Sequence, residues 1–255
     1  MDTDAIIMQH LEQLEPITLA EMENIRLMNR TDTKFVTNKE KLARLLELCK
    51  GKYYAQYNEG SKIASYKTTY WDTDDYHFFM EHHNGRAPRQ KVRVRTYVDS
   101  SITFLEVKTK NNHGRTKKKR IEVASQERAM EGEANDFLLR LVHMPPEEIH
   151  PTVQNRFHRI TLVNHGKTER LTIDFDVTFH NYETGEDNNV GNLVVVELKR
   201  DGNVYSPVLA LLRKLRIKPS GFSKYCVGTV MTNEEIKKNN FKEKMIRYNK
   251  IKKEV

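Results

Sequence analysis

Three segments of the chain set charged residues at every second position beside a strip of apolar ones. Lys91, Arg93 and Arg95 alternate with Val92 and Val94, Glu106 and Lys108 with Leu105 and Val107, and Glu197 and Lys199 with Val194, Val196 and Leu198. Consecutive strand side chains point to opposite faces, so each segment predicts a strand with one apolar and one charged face. One charged face is ordinarily the solvent side of an antiparallel sheet. Several together, with helices over the apolar side and the polar side turned inward, predict a barrel with a hydrophilic lumen. Like-charged side chains crowded there repel unless an anion lies among them.

The rest of the pattern predicts an α+β fold with an antiparallel sheet and one domain over residues 1–255. One or two amphipathic helices are expected over about 4–28, broken or bent at Pro16, with a core over about 30–230 and a basic helix over about 233–253. Thr37 and Glu40 have capping-box spacing for a helix that Gly51 ends. Asp72-Thr73-Asp74 is expected to cap a short helix through Met80, and further helices are expected over 125–143 and from Ser206-Pro207 to Leu215. Strands are expected near 66–71, 91–97, 102–110, 153–163, 169–179 and 192–199, with Arg170, Thr172, Asp174 and Asp176 on one face. The turn Asn111-Asn112-His113-Gly114 would bring the basic run 115–120 opposite Glu106 and Lys108.

A formal net charge of +8 and a pI near 9.3 favour nucleic acid, phosphate compounds or anionic membranes as partners. No aromatic stacking platform is evident among the basic strands, so nucleic acid is not expected. Cys49 and Cys226 lack zinc spacing and fit a reducing cytoplasm. The acidic start Met1-Asp2-Thr3-Asp4 and the lack of an apolar run near about 18 residues predict neither signal peptide nor membrane span. Gly166-Lys167-Thr168 is not a Walker loop, because Thr161 stands where its first glycine belongs. His82-His83, His143 and His150 have no metalloprotease spacing, and Asp74-Asp75 are read as turn formers.

An ordered set of pieces resembles the VTC domain, the polyphosphate polymerase module of the vacuolar transporter chaperone family, with bacterial stand-alone relatives, in the triphosphate tunnel metalloenzyme superfamily. The pieces are 30–35 with Lys34 and Phe35, Tyr70-Trp71-Asp72-Thr73, 91–95, 105–108, Phe157-His158-Arg159, 170–174, 196–199 and Phe222-Ser223-Lys224-Tyr225. The resemblance implies an antiparallel β-barrel tunnel of about eight strands with flanking helices. It also implies that ATP and polyphosphate are bound there and that Mn²⁺ or Mg²⁺ assists. Carried over by motif, Lys34, Arg93, Arg95, Lys108, Arg159, Arg170 and Lys224 are phosphate ligands, with Ser223 as hydroxyl donor and Glu197 as metal ligand. Lys119 is chosen from the run Lys117-Lys118-Lys119-Arg120, and Glu106 either assists the metal or pairs with a neighbouring lysine. Phe35 and Phe157 stand where the family commonly has tyrosine.

The expected reaction is transfer of the γ-phosphate of ATP to a growing polyphosphate chain, with Arg93, Arg95, Lys108, Arg159, Arg170 and Glu197 carrying it. Two alternatives stand beside it: a tunnel triphosphatase, with water as the attacker, and a non-catalytic polyanion-binding module. The lysine-rich tail is a candidate dock for a membrane partner, although a solvated helix face explains it too.

Overall fold

The alternating segments are strands of one large sheet, antiparallel apart from a single parallel pair. The computed structural model describes residues 2–23, 30–142, 144–202 and 204–254. His143 and the stretch with Ile25 and Met28 lie outside the described residues. In chain order the elements are α1 (Thr3–Glu12), β1 (Glu15–Ile17), α2 (Leu19–Glu23), β2 (Arg30–Asn38), α3 (Lys39–Cys49) and β3 (Tyr53–Gln56). Then come β4 (Ile63–Asp72), α4 (His77–His83), β5 (Arg89–Tyr97), β6 (Ile102–Lys110), β7 (Thr116–Val123) and α5 (Glu133–Val142). The chain continues with β8 (His150–Asn164), β9 (Glu169–Asn181), β10 (Asp187–Asn189), β11 (Leu193–Asp201), α6 (Pro207–Lys214), α7 (Lys224–Thr232) and α8 (Lys242–Lys253).

Eight strands follow the order β2-β11-β9-β8-β4-β5-β6-β7, with β1, β3 and β10 added at the side. Among the described residues β2 and β7 share no ladder, so the sheet is curled and not closed by backbone pairing. The curl is evident across its width: Lys108 on β6 feels the charge of Glu197 on β11, and Lys91 on β5 feels Lys34 on β2. Flat, β6 and β11 would lie five steps and about 24 Å apart, beyond effective Coulombic reach.

Helices cover the convex side in two layers. α1, α3 and α6 bury Leu11, Leu42, Leu45, Leu46 and Leu212 against Leu171, Ile173, Val196 and Leu198. α5 buries Phe137 and Leu138, and α4 buries Phe78, against Val92, Val94, Leu105 and Val107. A third cluster lies inside the curl, where Tyr225 and Val227 of α7 pack on Val36, Val153, Val177, Phe179 and Val195. At Gly228 an added Cβ would sit 2.6 Å from Phe179 and 2.9 Å from Val153, so only glycine lets α7 come this close. α7 therefore fills one end of the trough.

Local chemistry moves several expected boundaries. The cap of α3 is Asn38, which accepts from Lys41 N at 3.0 Å, while Thr37 stays in β2. Asp72 accepts from the N–H groups of Thr73, Phe78 and Phe79, so it caps α4 from six and seven residues away. The helix expected over 125–143 begins only at Glu133, and Pro16 lies in a short strand between α1 and α2. Asp176 does not share the face of Asp174: its backbone is left-handed, φ 52°, beside a bulge at Arg156/His158. It pairs instead with Lys39 and His158 on the other side.

The candidate anion tunnel

Register decides which side chains meet inside the curl, because directly paired residues share a face. Lys34, Glu197 and Thr172 form one row across β2, β11 and β9, and Lys199 and Arg170 form the row beside it. Asp174 lies opposite Arg159. Thr68 lies opposite Arg95 and Tyr70 opposite Arg93, while Arg93 faces Glu106 and Lys91 faces Lys108. On β7 the partners of Glu106 and Lys108 are Arg120 and Lys118. All the expected phosphate ligands on strands thus line one surface except Lys119. It lies opposite Val107, on the apolar side, and Lys118 and Arg120 take the inward places.

The cations are held in specific poses. Glu106 is fully buried and accepts from Arg93 Nε at 2.7 Å and Lys118 Nζ at 3.0 Å. Burial raises its pKa, but Arg93, Arg95 and Lys118 outweigh that and hold it well below the carboxylate range. Asp174 receives Arg159 through Nε and Nη2, at 2.6 and 2.8 Å, and also pairs with Lys224 from the first turn of α7. Arg159 and Arg95 lie 5.0 and 5.4 Å from the centre of the Tyr66 ring, which is stacked on Phe157. This aromatic floor supports guanidiniums by cation–π attraction. Arg170 lies farther out, donating from Nη2 to Met22 O at 3.2 Å.

The segment before α7 crosses the trough. Lys34 Nζ donates to Phe222 O at 3.1 Å, and Lys91 Nζ donates to Ser223 Oγ at 2.8 Å. Ser223 also caps α7 by accepting from Cys226 N, and its own proton remains to donate. Lys91 and Lys199, absent from the expected ligand set, face inward with the rest; strand alternation alone points to both.

Cations outnumber the acids that partner them, and their pKa values respond. Lys108 forms no ion pair among the described residues; repulsion from Arg93, then burial and Arg95, push it down to about 5. Burial and the neighbouring arginines bring Lys224 down to about 8 despite Asp174, and burial with Arg93 and Arg159 brings Arg95 to about 10. A polyanion would favour the charged form of each, and of the three only Lys108 is neutral at pH 7 without one.

For a divalent cation, no cluster of three or more His, Cys, Asp or Glu exists among the described residues. Glu197 is the residue that fits: its pKa, raised by burial but lowered further by Lys199 and Lys34, settles at about 2, so it is ionised. Lys199 lies 3.2 Å from Oε2, and Lys34 only 3.9 Å from Oε1. One carboxylate with phosphate oxygens completing the shell is an ordinary way to hold Mg²⁺. Glu106, with both oxygens engaged by Arg93 and Lys118, does not fit that role.

The chain is thus a curled antiparallel sheet lined by paired and unpaired cations, with helices over its convex side and α7 inside one end. The chain belongs to the VTC domain family, whose model matches residues 29–233. No curated protein sequence matches it. Among solved structures it resembles HpAC1 from Hippeastrum, described as a candidate adenylyl cyclase with a dominant triphosphatase activity. The TM-score is 0.54 at 14% identity, over 80% of this chain and 97% of that one. A candidate adenylate cyclase from Bacillus halodurans gives a TM-score of 0.50 at 16% identity, over 77% of this chain and 96% of that one. At such identities the likeness concerns the fold.

Proposed function

We propose that the chain is a polyphosphate polymerase that transfers the γ-phosphate of ATP to the end of a polyphosphate chain inside the tunnel. The observation that carries this is the length of the cationic lining. Arg159 lies opposite Ala64 and Arg93 opposite Tyr70, so the backbone positions that carry the lining cations extend over six residues of β4. That is about 20 Å of strand, more than one triphosphate needs.

The chemistry requires positioning and charge neutralisation more than a protein nucleophile. A terminal phosphate oxygen of the polymer forms a bond to the γ-phosphorus. The bond from that phosphorus to the β–γ bridging oxygen breaks, and ADP departs with the electron pair. No proton is removed from the attacker, which is already anionic. Arg93, Arg95 and Arg159 grip phosphate oxygens with their forks, Lys108, Lys34 and Lys224 add point charges, and Ser223 donates its hydroxyl. Arg170 and Lys199 hold the chain toward the opposite rim. Glu197 is the residue to hold Mn²⁺ or Mg²⁺, which supplies further neutralisation of phosphate charge when bound.

A triphosphatase is the competing reading, supported by the fold shared with HpAC1. Purified protein incubated with ATP and Mn²⁺ separates the two. Long-chain polymer together with ADP is expected; phosphate without polymer would establish the triphosphatase, and tight polyphosphate binding without turnover would establish a binder. Glu197→Gln is expected to cost at least about a hundredfold in turnover while changing polyphosphate affinity by less than about tenfold. Unchanged turnover in that variant would remove Glu197 from the mechanism.

A further inference from the structure

We propose a second anion site on the outer face of the sheet, separate from the tunnel, that takes the terminal phosphate of a small phosphate compound. The two helical layers leave a polar strip of β4, β8 and β9 uncovered between them. Register aligns Lys67, Arg156, Thr178 and Asn189 in one row across β4, β8, β9 and β10. They line a cavity of about 660 Å³ together with His180, Tyr182 and the carboxylate of Asp187.

Lys67 and Arg156 are direct cross-strand neighbours, an arrangement in which like charges destabilise a sheet. Neither forms an ion pair among the described residues. Arg156 donates only from Nε to Gln154 Oε1, at a long 3.4 Å, and its two terminal nitrogens make no hydrogen bond among the described residues. Two acids are near. Asp187 is bonded to His180 Nδ1 at 3.0 Å, and exposed Glu127 feels Lys67 without pairing with it. An arginine fork, a lysine, the Thr178 hydroxyl and the Asn189 amide thus line one cavity, whose single carboxylate, Asp187, is engaged by His180 and forms no ion pair with Lys67 or Arg156 among the described residues. That donor set matches a phosphate, since the fork takes two oxygens and the ammonium a third. The cavity exceeds one phosphate in size, and Tyr182, 45% exposed and edge-on to His180 at 5.1 Å, offers a wall for an organic group.

The site is distinct from the tunnel because its residues alternate with tunnel residues along the same strands. Lys67 lies between Tyr66 and Thr68, and Arg156 between Asn155 and Phe157, all on the inward face. Two ligands can therefore occupy opposite sides of β4 and β8 at once.

The test is amide-resolved NMR of the full chain, titrated separately with inorganic pyrophosphate and with a nucleoside monophosphate. Shifts at Lys67, Arg156, Thr178 and Asn189 are expected, with a midpoint different from that at Lys34 and Glu197. Lys67→Gln with Arg156→Gln is expected to weaken the outer response about tenfold or more and to leave the tunnel response unchanged. The unchanged tunnel response also confirms that the variant is folded, and the single variants serve if the double one is not. A stronger outer response to the monophosphate would assign an organic phosphate; one to pyrophosphate would assign an inorganic one. No outer shifts at millimolar concentrations of either probe, or outer shifts with an unaltered midpoint in the variant, would overturn the proposal.

Discussion

Lys108 is the lining residue whose state depends most on a ligand. With its pKa pushed down to about 5 by Arg93, burial and Arg95, it is neutral at pH 7 in the free protein. A bound phosphate cancels that repulsion and returns the ammonium toward its ordinary range, so binding should take up a proton at pH 7 and progressively less below pH 5. Calorimetry of tripolyphosphate binding in two buffers of different ionisation enthalpy measures the uptake, and Lys108→Met should reduce it. Buffer-independent heats would show that Lys108 is already charged. Lys118 makes a second contrast: Lys118→Ala should weaken tripolyphosphate binding about tenfold, whereas Lys119→Ala should change it less than about twofold. Alternation with valine and leucine made Arg93, Arg95, Lys108 and Glu197 legible as inward residues. The run Lys117-Lys118-Lys119-Arg120 has no apolar residue to phase it, so its inward members follow from pairing with β6 through the 111–115 turn. One residue of slip there exchanges Lys118 for Lys119.

At the scale of elements, α7 joins the apolar end of the trough to its charged part. Its first residue, Lys224, pairs with Asp174, its cap Ser223 accepts from Lys91, and Gly228 presses on Phe179 and Val153. Gly228→Ala should gain about 1 kcal/mol of helix propensity and lose about 1–3 kcal/mol to overpacking. A lower melting temperature is expected, together with weaker phosphate binding as Ser223 and Lys224 are displaced; thermal denaturation and a binding titration check both. A melting temperature above wild type would mean that α7 is free to shift away. The strands were legible because one face of each is greasy. The inward plug was not, because Tyr225 and Val227 belong to an unremarkable helix whose partners are set by the curl. The bulge at Asp176 was hidden for a related reason: Asp174 and Asp176 continue the alternation, and only the ladder with β8 reveals the extra residue.

For the whole molecule, the expected closed barrel is a curled sheet whose edge strands β2 and β7 do not pair with each other among the described residues. Its curvature holds many cations within Coulombic reach of one another, so the free protein carries repulsion that a polyanion relieves. Stabilisation by a ligand at 100 times its Kd is about 2.7 kcal/mol. For a chain of this size that raises the melting temperature by roughly 5–10 °C. If the lining acts along its full length, pyrophosphate, tripolyphosphate and a long-chain polyphosphate at equal phosphate concentration should give successively larger shifts. Chloride salt should diminish the response to all three, because the exposed part of the lining is screened. The polymerase reading requires the step from tripolyphosphate to the longer chain, since a growing product must occupy lining beyond the triphosphate. A shift that levels off at tripolyphosphate would confine the functional lining to one triphosphate and favour hydrolysis, whatever the distribution of charge along β4.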